Sequence, residues 1–221
     1  MKKLLNFIKN KKFKSSILLI FLLFLYVFIS AQGYVTAVSN NLSDAVFRLH
    51  IIANSDSDED QALKLKVRDS LLEYMNEISS NCTTKEEAIN LAVEHKENFQ
   101  KIAEKTISEN GYNYPVTINI GNFYFPTKNY GDISLPAGFY DALRVEIGNA
   151  NGKNWWCVMF PSLCFIDVSS GVVDSEAKEN LEQNLDDESY DIISEDNNGE
   201  IKFKFKLIEF FAENHLFATK N

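Results

Sequence analysis

The sequence predicts an α+β fold, a two-layer sandwich in which two long N-terminal helices pack on a mostly antiparallel sheet of about five strands. Two observations lead to this prediction. Apolar residues recur at helical spacing after residue 60 and again after residue 83, and shorter stretches on either side alternate between apolar and polar residues. With 45% hydrophobic and 13% aromatic residues, the 221-residue chain has the composition of a folded protein.

The first 33 residues are predicted to be a signal peptide or an N-terminal membrane anchor. They hold six lysines and no acidic residue, and residues 17–29 are thirteen uninterrupted apolar residues. Small residues follow at Ala31 and Gly33, where a signal peptidase could cut. The uncharged residues 15–38 are also long enough to span a bilayer, so an uncleaved anchor stays open. In both cases the basic end stays in the cytoplasm and the remainder is exported.

The remainder of the chain is strongly acidic. It carries 16 basic and 31 acidic residues. Such a surface repels the phosphates of nucleic acids and anionic lipid headgroups. We therefore expect no nucleic-acid partner, and membrane contact only through the N-terminal apolar segment.

Each element of the sandwich has a pattern of its own. Thr83 and Glu86 form the capping box that opens the second helix, and Asn110-Gly111 ends it. Residues 142–148 and 155–160 read as a hairpin around the turn NANGKN. In chain order, we predict a linker (34–44), strand (45–53), helix (to about 79), helix (83–110), strand (114–125), the hairpin, a strand (163–168), an acidic segment with a weak helix (172–200) and a C-terminal strand and tail (201–221), with residues 45–171 as the main domain.

The stretch ANSDSDEDQALKLKVRD places four carboxylates within five residues (Asp56, Asp58, Glu59 and Asp60). A calcium loop of the EF-hand kind counted from Asp56 would need Gly at position 61 and Glu at position 67, which are Gln and Val here. The pair Ser57 and Asp60 fits a capping box instead, with the acids at the positive end of the helix dipole. An exported hydrolase that uses Asp56, Asp60 or His50 stays as the alternative, although no other catalytic motif accompanies them.

Cys157 and Cys164 lie on either side of VMFPSL, and Cys82 lies far from both in the sequence. In an exported domain such a pair could form a disulfide. The two residues could equally pack as small hydrophobes in a strand pair, which their apolar neighbours favour. The three histidines show no ligand spacing with the cysteines, so we predict no zinc site and no cofactor.

Two longer strings are more particular than these local rules require: FRLHIIANSDSDEDQALKLKVRDSLL (47–72) and LPAGFYDALRVEIGNANGKNWWCVMFPSLCFID (135–167). With the helices between them, they resemble the stage II sporulation protein R family over about residues 43–168. The C-terminal IKFKFKLIEFF resembles the closing strand of that family more loosely.

The resemblance implies a secreted signalling protein, not an enzyme. Members of the family are made in the forespore of endospore-forming Firmicutes and exported into the space between the two septal membranes. There they activate a membrane-embedded aspartic protease of the mother cell, which processes the precursor of sigma E. We therefore expect no catalytic residues in this chain.

The two strings also supply candidate contacts with that protease. The polar candidates are Asn54, Ser55, Asp56, Asp60, Arg68 and Asp69, and the aromatic candidates are Trp155 and Trp156. Adjacent strand positions face opposite ways, so at least one tryptophan is expected in the core. Arg48, Arg144 and Asp141 are expected to form a structural charge network between strands. His50 is expected to be a packing residue.

Overall fold

A computed structural model describes residues 11–130, 133–161 and 175–194. The predicted α+β class is confirmed, with helices around a mixed four-stranded sheet and a separate two-stranded hairpin. In chain order the elements are α1 (Lys11–Ala45), β1 (Phe47–Ile52), α2 (Asp58–Ile78), α3 (Lys85–Glu94), α4 (Lys96–Glu109), β2 (Val116–Phe125), β3 (Lys128–Tyr130), β4 (Ile133–Leu135), β5 (Gly138–Ile147), β6 (Asn154–Phe160), α5 (Ser175–Asn184) and α6 (Asp187–Ile193).

The chain divides into two compact units, residues 1–38 and residues 39–221. In the first unit, the side chains of residues 17–29 are all exposed although every one of them is apolar. The stretch Phe13–Ala45 is long and apolar enough to cross a membrane, as a signal peptide or an anchor requires. The predicted linker 34–44 is helical and continues α1 to Ala45.

In the second unit, β1 occupies the interior of the main sheet. The strand order is β2-β5-β1-β6, with β1 parallel to β5 and antiparallel to β6, and with β2 antiparallel to β5. All six residues of β1 are buried. A strand whose side chains are buried on both faces is typical of the interior of a sheet and not of its edge. The burial of β1 therefore agrees with its position between β5 and β6.

The predicted hairpin of residues 142–148 and 155–160 is wrong. Both segments are strands, β5 and β6, but they do not pair with each other, because β1 lies between them. Their connection passes over the carboxyl end of β1, where Gly152 N donates to Ala53 O and Asn151 N donates to Asn54 O. A turn sequence between two alternating stretches indicates a connection, and it does not show whether a third strand is inserted.

The second predicted helix is divided at His95 into α3 and α4. Its capping box lies one residue later than predicted, because Thr84 accepts from Glu87 N and the Glu87 carboxylate accepts from Thr84 N in return. The helix α2 begins and ends close to the predicted positions. The acidic segment contains α5 and α6, whereas the predicted strands at 163–168 and 201–207 lie outside the described residues.

The two faces of the sheet differ in chemistry. One face presents Leu49 and Ile51 beside their register partners Leu143 and Val145, and α2 and α4 contact the strands that carry this face. The opposite face carries a row of side chains that crosses all four strands. In sheet order this row is Asn119, Arg144, His50 and Trp156.

Candidate functional site

The β1–α2 junction interlocks with the β5–β6 connection, so the two long sequence strings meet at this place. Asn54 is central to the contact. Its Nδ2 donates to Asp60 Oδ2 at 2.8 Å, and its Oδ1 accepts from Asn149 N at 3.0 Å. Asp56 Oδ1 accepts from Lys153 N at 2.7 Å. Side chains of the first string therefore satisfy backbone donors of the second.

Asp60 organises the first string. Its carboxylate accepts from Asn54 and also from Ser55 Oγ at 2.5 Å, and the residue is only 5% exposed. Burial acts to raise the pKa of this carboxyl, but hydrogen bonds from Ser55, Asn54 and Tyr114 outweigh it and hold the pKa below its usual range. Asp60 is thus an ionised acceptor whose hydrogen bonds lie within the junction.

One half of the expected capping box is confirmed, because Ser57 Oγ accepts from Asp60 N at 3.2 Å. The reciprocal half is wrong, because Ser57 N donates to Ser55 Oγ and not to the Asp60 carboxylate. Asp60 uses its carboxylate oxygen Oδ2 for the residues before the cap, Asn54 and Ser55, and so ties the loop to the first turn of α2. Lys64, one turn later, donates to Gln61 Oε1 at 2.6 Å and to Lys153 O at 3.0 Å. This lysine adds a second bridge between the two strings.

Two glycines permit this close approach. A Cβ at Gly152 would lie 2.6 Å from the carbonyl carbon of Ser55, and one at Gly148 would lie 2.8 Å from Asn54 Cγ. Gly148 also has a φ of +59°, which side chains with a Cβ rarely adopt. The loop that follows β1 therefore explains why glycine occupies positions 148 and 152 of GNANGKN.

Arg68, Asp69 and Trp155 form a second group on the helical side of the sheet. The Arg68 guanidinium lies 4.4 Å from the ring centroid of Trp155 and 2.6 Å from Asp69 Oδ1. The Arg68 side chain is 17% exposed and that of Asp69 is 52% exposed, so this group reaches the surface. We call these three residues the α2 patch.

Trp156 lies on the opposite face from Trp155, as adjacent strand positions require. Its ring stacks on His50 with centroids 3.7 Å apart, and it meets Phe125 edge-on at 4.8 Å. Both tryptophans are half-buried, so the expectation that at least one belongs to the core is wrong.

His50 is 5% exposed and its Nε2 lies 2.8 Å from Asn154 Oδ1. Burial lowers its pKa to about 4, with a further decrease from the charges of Arg144 and Arg48, although the Asn154 hydrogen bond opposes this. His50 is therefore a neutral packing residue at physiological pH. Among the described hydrogen bonds, His50 is connected with Asn154 and Asp60 with Asn54 and Ser55, and none joins His50 to Asp56 or Asp60.

The expected charge network of Arg48, Arg144 and Asp141 is wrong. Arg144 pairs with Glu146 at 2.6 Å, and Asp141 pairs with Lys85 at 2.6 Å. Arg48 packs against aromatic rings instead. The network fails because the helix α3 brings Lys85 to Asp141, a contact that strand positions alone do not indicate.

The structure describes two of the three cysteines, Cys82 and Cys157. Cys82 is a free thiol, and burial raises its pKa, with a further increase from the charge of Glu87. Cys157 is buried in β6 and is disulfide-bonded, so the favoured alternative, in which it packs without a bond, is wrong. Cys164 lies outside the described residues, so the pairing of Cys157 with Cys164 stays a prediction.

Within the described ranges, no three His, Cys, Asp or Glu side chains are grouped so that they could hold a metal ion.

The interlocked strings fall inside one family model. Residues 43–170 match the model described as stage II sporulation protein R. The chain belongs to the stage II sporulation protein R family. It is also 40% identical over 140 residues to the stage II sporulation protein R of Bacillus subtilis (strain 168), an alignment that covers 62% of this chain and 62% of that relative. No solved structure matches the chain.

The description of the matched family names a sporulation protein. Its matched range contains the junction, the α2 patch and the whole four-stranded sheet. It also contains the buried Arg48, whose neighbours are aromatic rings and not the predicted Asp141 and Arg144. One feature of the sequence indicates that Arg48 is buried: it lies between the apolar residues Phe47 and Leu49 at the start of a predicted strand.

Proposed function

We propose that this protein is an exported sporulation signal that activates a membrane-embedded aspartic protease of the mother cell, and so triggers processing of the sigma E precursor. Membership of the stage II sporulation protein R family, over residues 43–170, is the observation that carries this proposal. The apolar N-terminal helix supports export into the space between forespore and mother cell, either free or anchored.

An activator shifts its partner only by binding the active state more tightly than the inactive one. The α2 patch suits such a contact, because it combines a large aromatic ring, an arginine and an exposed carboxylate on one rigid helix and strand. Asn54, Ser55, Asp56 and Asp60 are used within the junction, and Trp156 lies on the other face. We propose that Asn54, Ser55, Asp56 and Asp60 act mainly by holding α2 and β6 in register, and that Arg68, Asp69 and Trp155 contact the protease.

The experiment is reconstitution in vegetative cells of a sporulating host. The cells would co-express this protein, the mother-cell protease and the sigma E precursor, and precursor cleavage would be followed by immunoblot. We expect cleavage that requires this protein and its first 33 residues. Absence of cleavage, with this protein exported and folded and the protease active with its own partner, would contradict the proposal.

A further inference from the structure

Arg48 is a buried cation whose hydrogen-bonding capacity is mostly unused. The residue is 0% exposed and its Nη2 donates to the Tyr130 hydroxyl at 2.6 Å. Its Nε and Nη1 have no acceptor among the residues that the structure describes. A guanidinium carries five N–H donors and is always charged, so this environment leaves both charge and donors poorly compensated.

Aromatic faces take the place of a counter-ion. The guanidinium carbon lies 4.1 Å from the ring centroid of Phe125 and 4.7 Å from that of Tyr140, with Tyr130 at 5.9 Å. Cation–π contacts recover part of the cost of burying a charge, but they do not satisfy N–H donors.

The acids on the neighbouring strand are committed elsewhere, because Asp141 pairs with Lys85 and Glu146 pairs with Arg144. His50, two residues along on the same face, is neutral and offers no negative charge. A buried polar group left without partners in a native fold calls for an explanation. Arg48 differs from the other unpartnered groups of the described residues because two of its three nitrogens lack an acceptor.

Tyr130 is the group that an incoming ligand would displace. It ends β3, and its hydroxyl is the acceptor for Arg48 Nη2. A second bond, from the Tyr130 hydroxyl to Trp156 O, is long at 3.4 Å. A phenol oxygen offers one point of attachment, whereas a carboxylate accepts two parallel N–H bonds from the arginine fork and neutralises its charge.

We propose that Arg48 is a receptor for a carboxylate of the protein that this chain activates, an Asp or Glu side chain that displaces the Tyr130 hydroxyl and lies against the ring of Phe125. The proposal rests on the proposed function, since it identifies a recognition chemistry for the same partner. It adds a second contact on the sheet face opposite the α2 patch.

The first test is Arg48→Met, with Arg144→Met as the matched control. Both variants remove a guanidinium from the same sheet face. Arg144 also has one buried donor, Nε, without an acceptor among the described residues, but its charge is paired with Glu146, whereas Arg48 has no carboxylate partner there. We expect Arg48→Met to keep or raise Tm, because an uncompensated buried charge is replaced by an apolar chain of similar length. In the co-expression assay we expect it to reduce precursor cleavage roughly tenfold or more, while Arg144→Met leaves cleavage unchanged.

A fall in Tm of more than about 4 °C, or failure of Arg48→Met to accumulate, would assign Arg48 to a stabilising interaction inside this chain and would overturn the proposal. Full cleavage by a folded Arg48→Met variant would overturn it as well. Tm is measured on the purified protein without the protease. It therefore tests the state of Arg48 even if the wild-type chain fails to activate, a result that would count against the proposed function instead.

Tyr130→Phe is the second variant. It removes the hydroxyl that competes for the guanidinium and keeps the ring. If a partner carboxylate displaces this hydroxyl, the variant needs less activator for half-maximal cleavage than the wild type does. A loss of cleavage as large as that of Arg48→Met would show that the Tyr130–Arg48 bond itself is required, and would contradict displacement.

Discussion

Gly152 lies directly against the backbone of Ser55, and a Cβ at this glycine would stand 2.6 Å from the Ser55 carbonyl carbon. The two residues belong to different sequence strings, nearly a hundred positions apart. The backbone hydrogen bonds from Gly152 to Ala53 and from Asn151 to Asn54 join the β1–α2 junction to the β5–β6 connection at the same place. Changes at this contact are expected to act on the whole domain.

Gly152→Ala should destabilise the fold by about 2–3 kcal/mol, because the backbone of one loop must move away from the other. Gly121→Ala is the control, since its nearest neighbour is a Phe123 ring carbon at 3.8 Å, an ordinary contact distance. Urea unfolding of the purified exported protein measures both. Equal stability of the two variants would mean that the loops are not closely packed.

Asp60→Asn should lower the free energy of unfolding by about 1–3 kcal/mol, because the charge-assisted bonds from Asn54 and Ser55 are lost. Asp58→Asn, at the exposed start of α2, should change the free energy of unfolding by less than about 0.5 kcal/mol.

The pKa of Asp60 is lowered in the folded state. The contribution of Asp60 to stability is therefore complete above the usual pKa of an aspartate, and it is lost as pH falls through the pKa of the folded state. A stable Asp60→Asn variant that loses only an enzymatic reaction would favour the hydrolase alternative.

The stability of the wild-type protein should fall as pH decreases from about 6.5 to about 4, in part because of His50. The unfolded chain binds a proton at this residue near pH 6.5, whereas the folded chain resists protonation until about pH 4. His50→Gln should remove this part of the pH dependence, and His95→Gln should keep it. Chemical unfolding at a series of pH values tests the prediction, and an unchanged slope in His50→Gln would show that His50 is not the group responsible.

Arg68→Ala should reduce precursor cleavage by roughly tenfold while it changes stability by less than about 1 kcal/mol, because the α2 patch is proposed as a contact surface and is partly exposed. Lys105→Ala, in the exposed pair with Glu109, is the control and should leave cleavage unchanged. Quantitative immunoblots at matched expression compare the two. Wild-type cleavage by Arg68→Ala would remove the α2 patch from the proposed interface.

The helix α2 and the strand β2 could be predicted from the sequence, because apolar periodicity and helix capping depend on residues that are close together in the chain. The spacing of apolar residues and the Ser57 N-cap indicated α2, and the alternation after Pro115 indicated β2. The junction residues were also recognised as a polar cluster between a strand and a helix. Their partners were not predicted, because Asn149 and Lys153 reach them only after β1 has been inserted between β5 and β6.

The sequence by itself determined the α+β class, the apolar N-terminal segment, the acidic portion that follows it and the family, since each of these depends on composition, short-range periodicity or a string of residues. Only the tertiary structure decided which strands are neighbours, that Asp60 accepts hydrogen bonds within the junction, that Arg68 meets Trp155, and that Arg48 is buried among rings. The physical reason is that burial and pairing depend on residues that are distant in the chain, and a turn such as NANGKN does not indicate which strand will lie beside it.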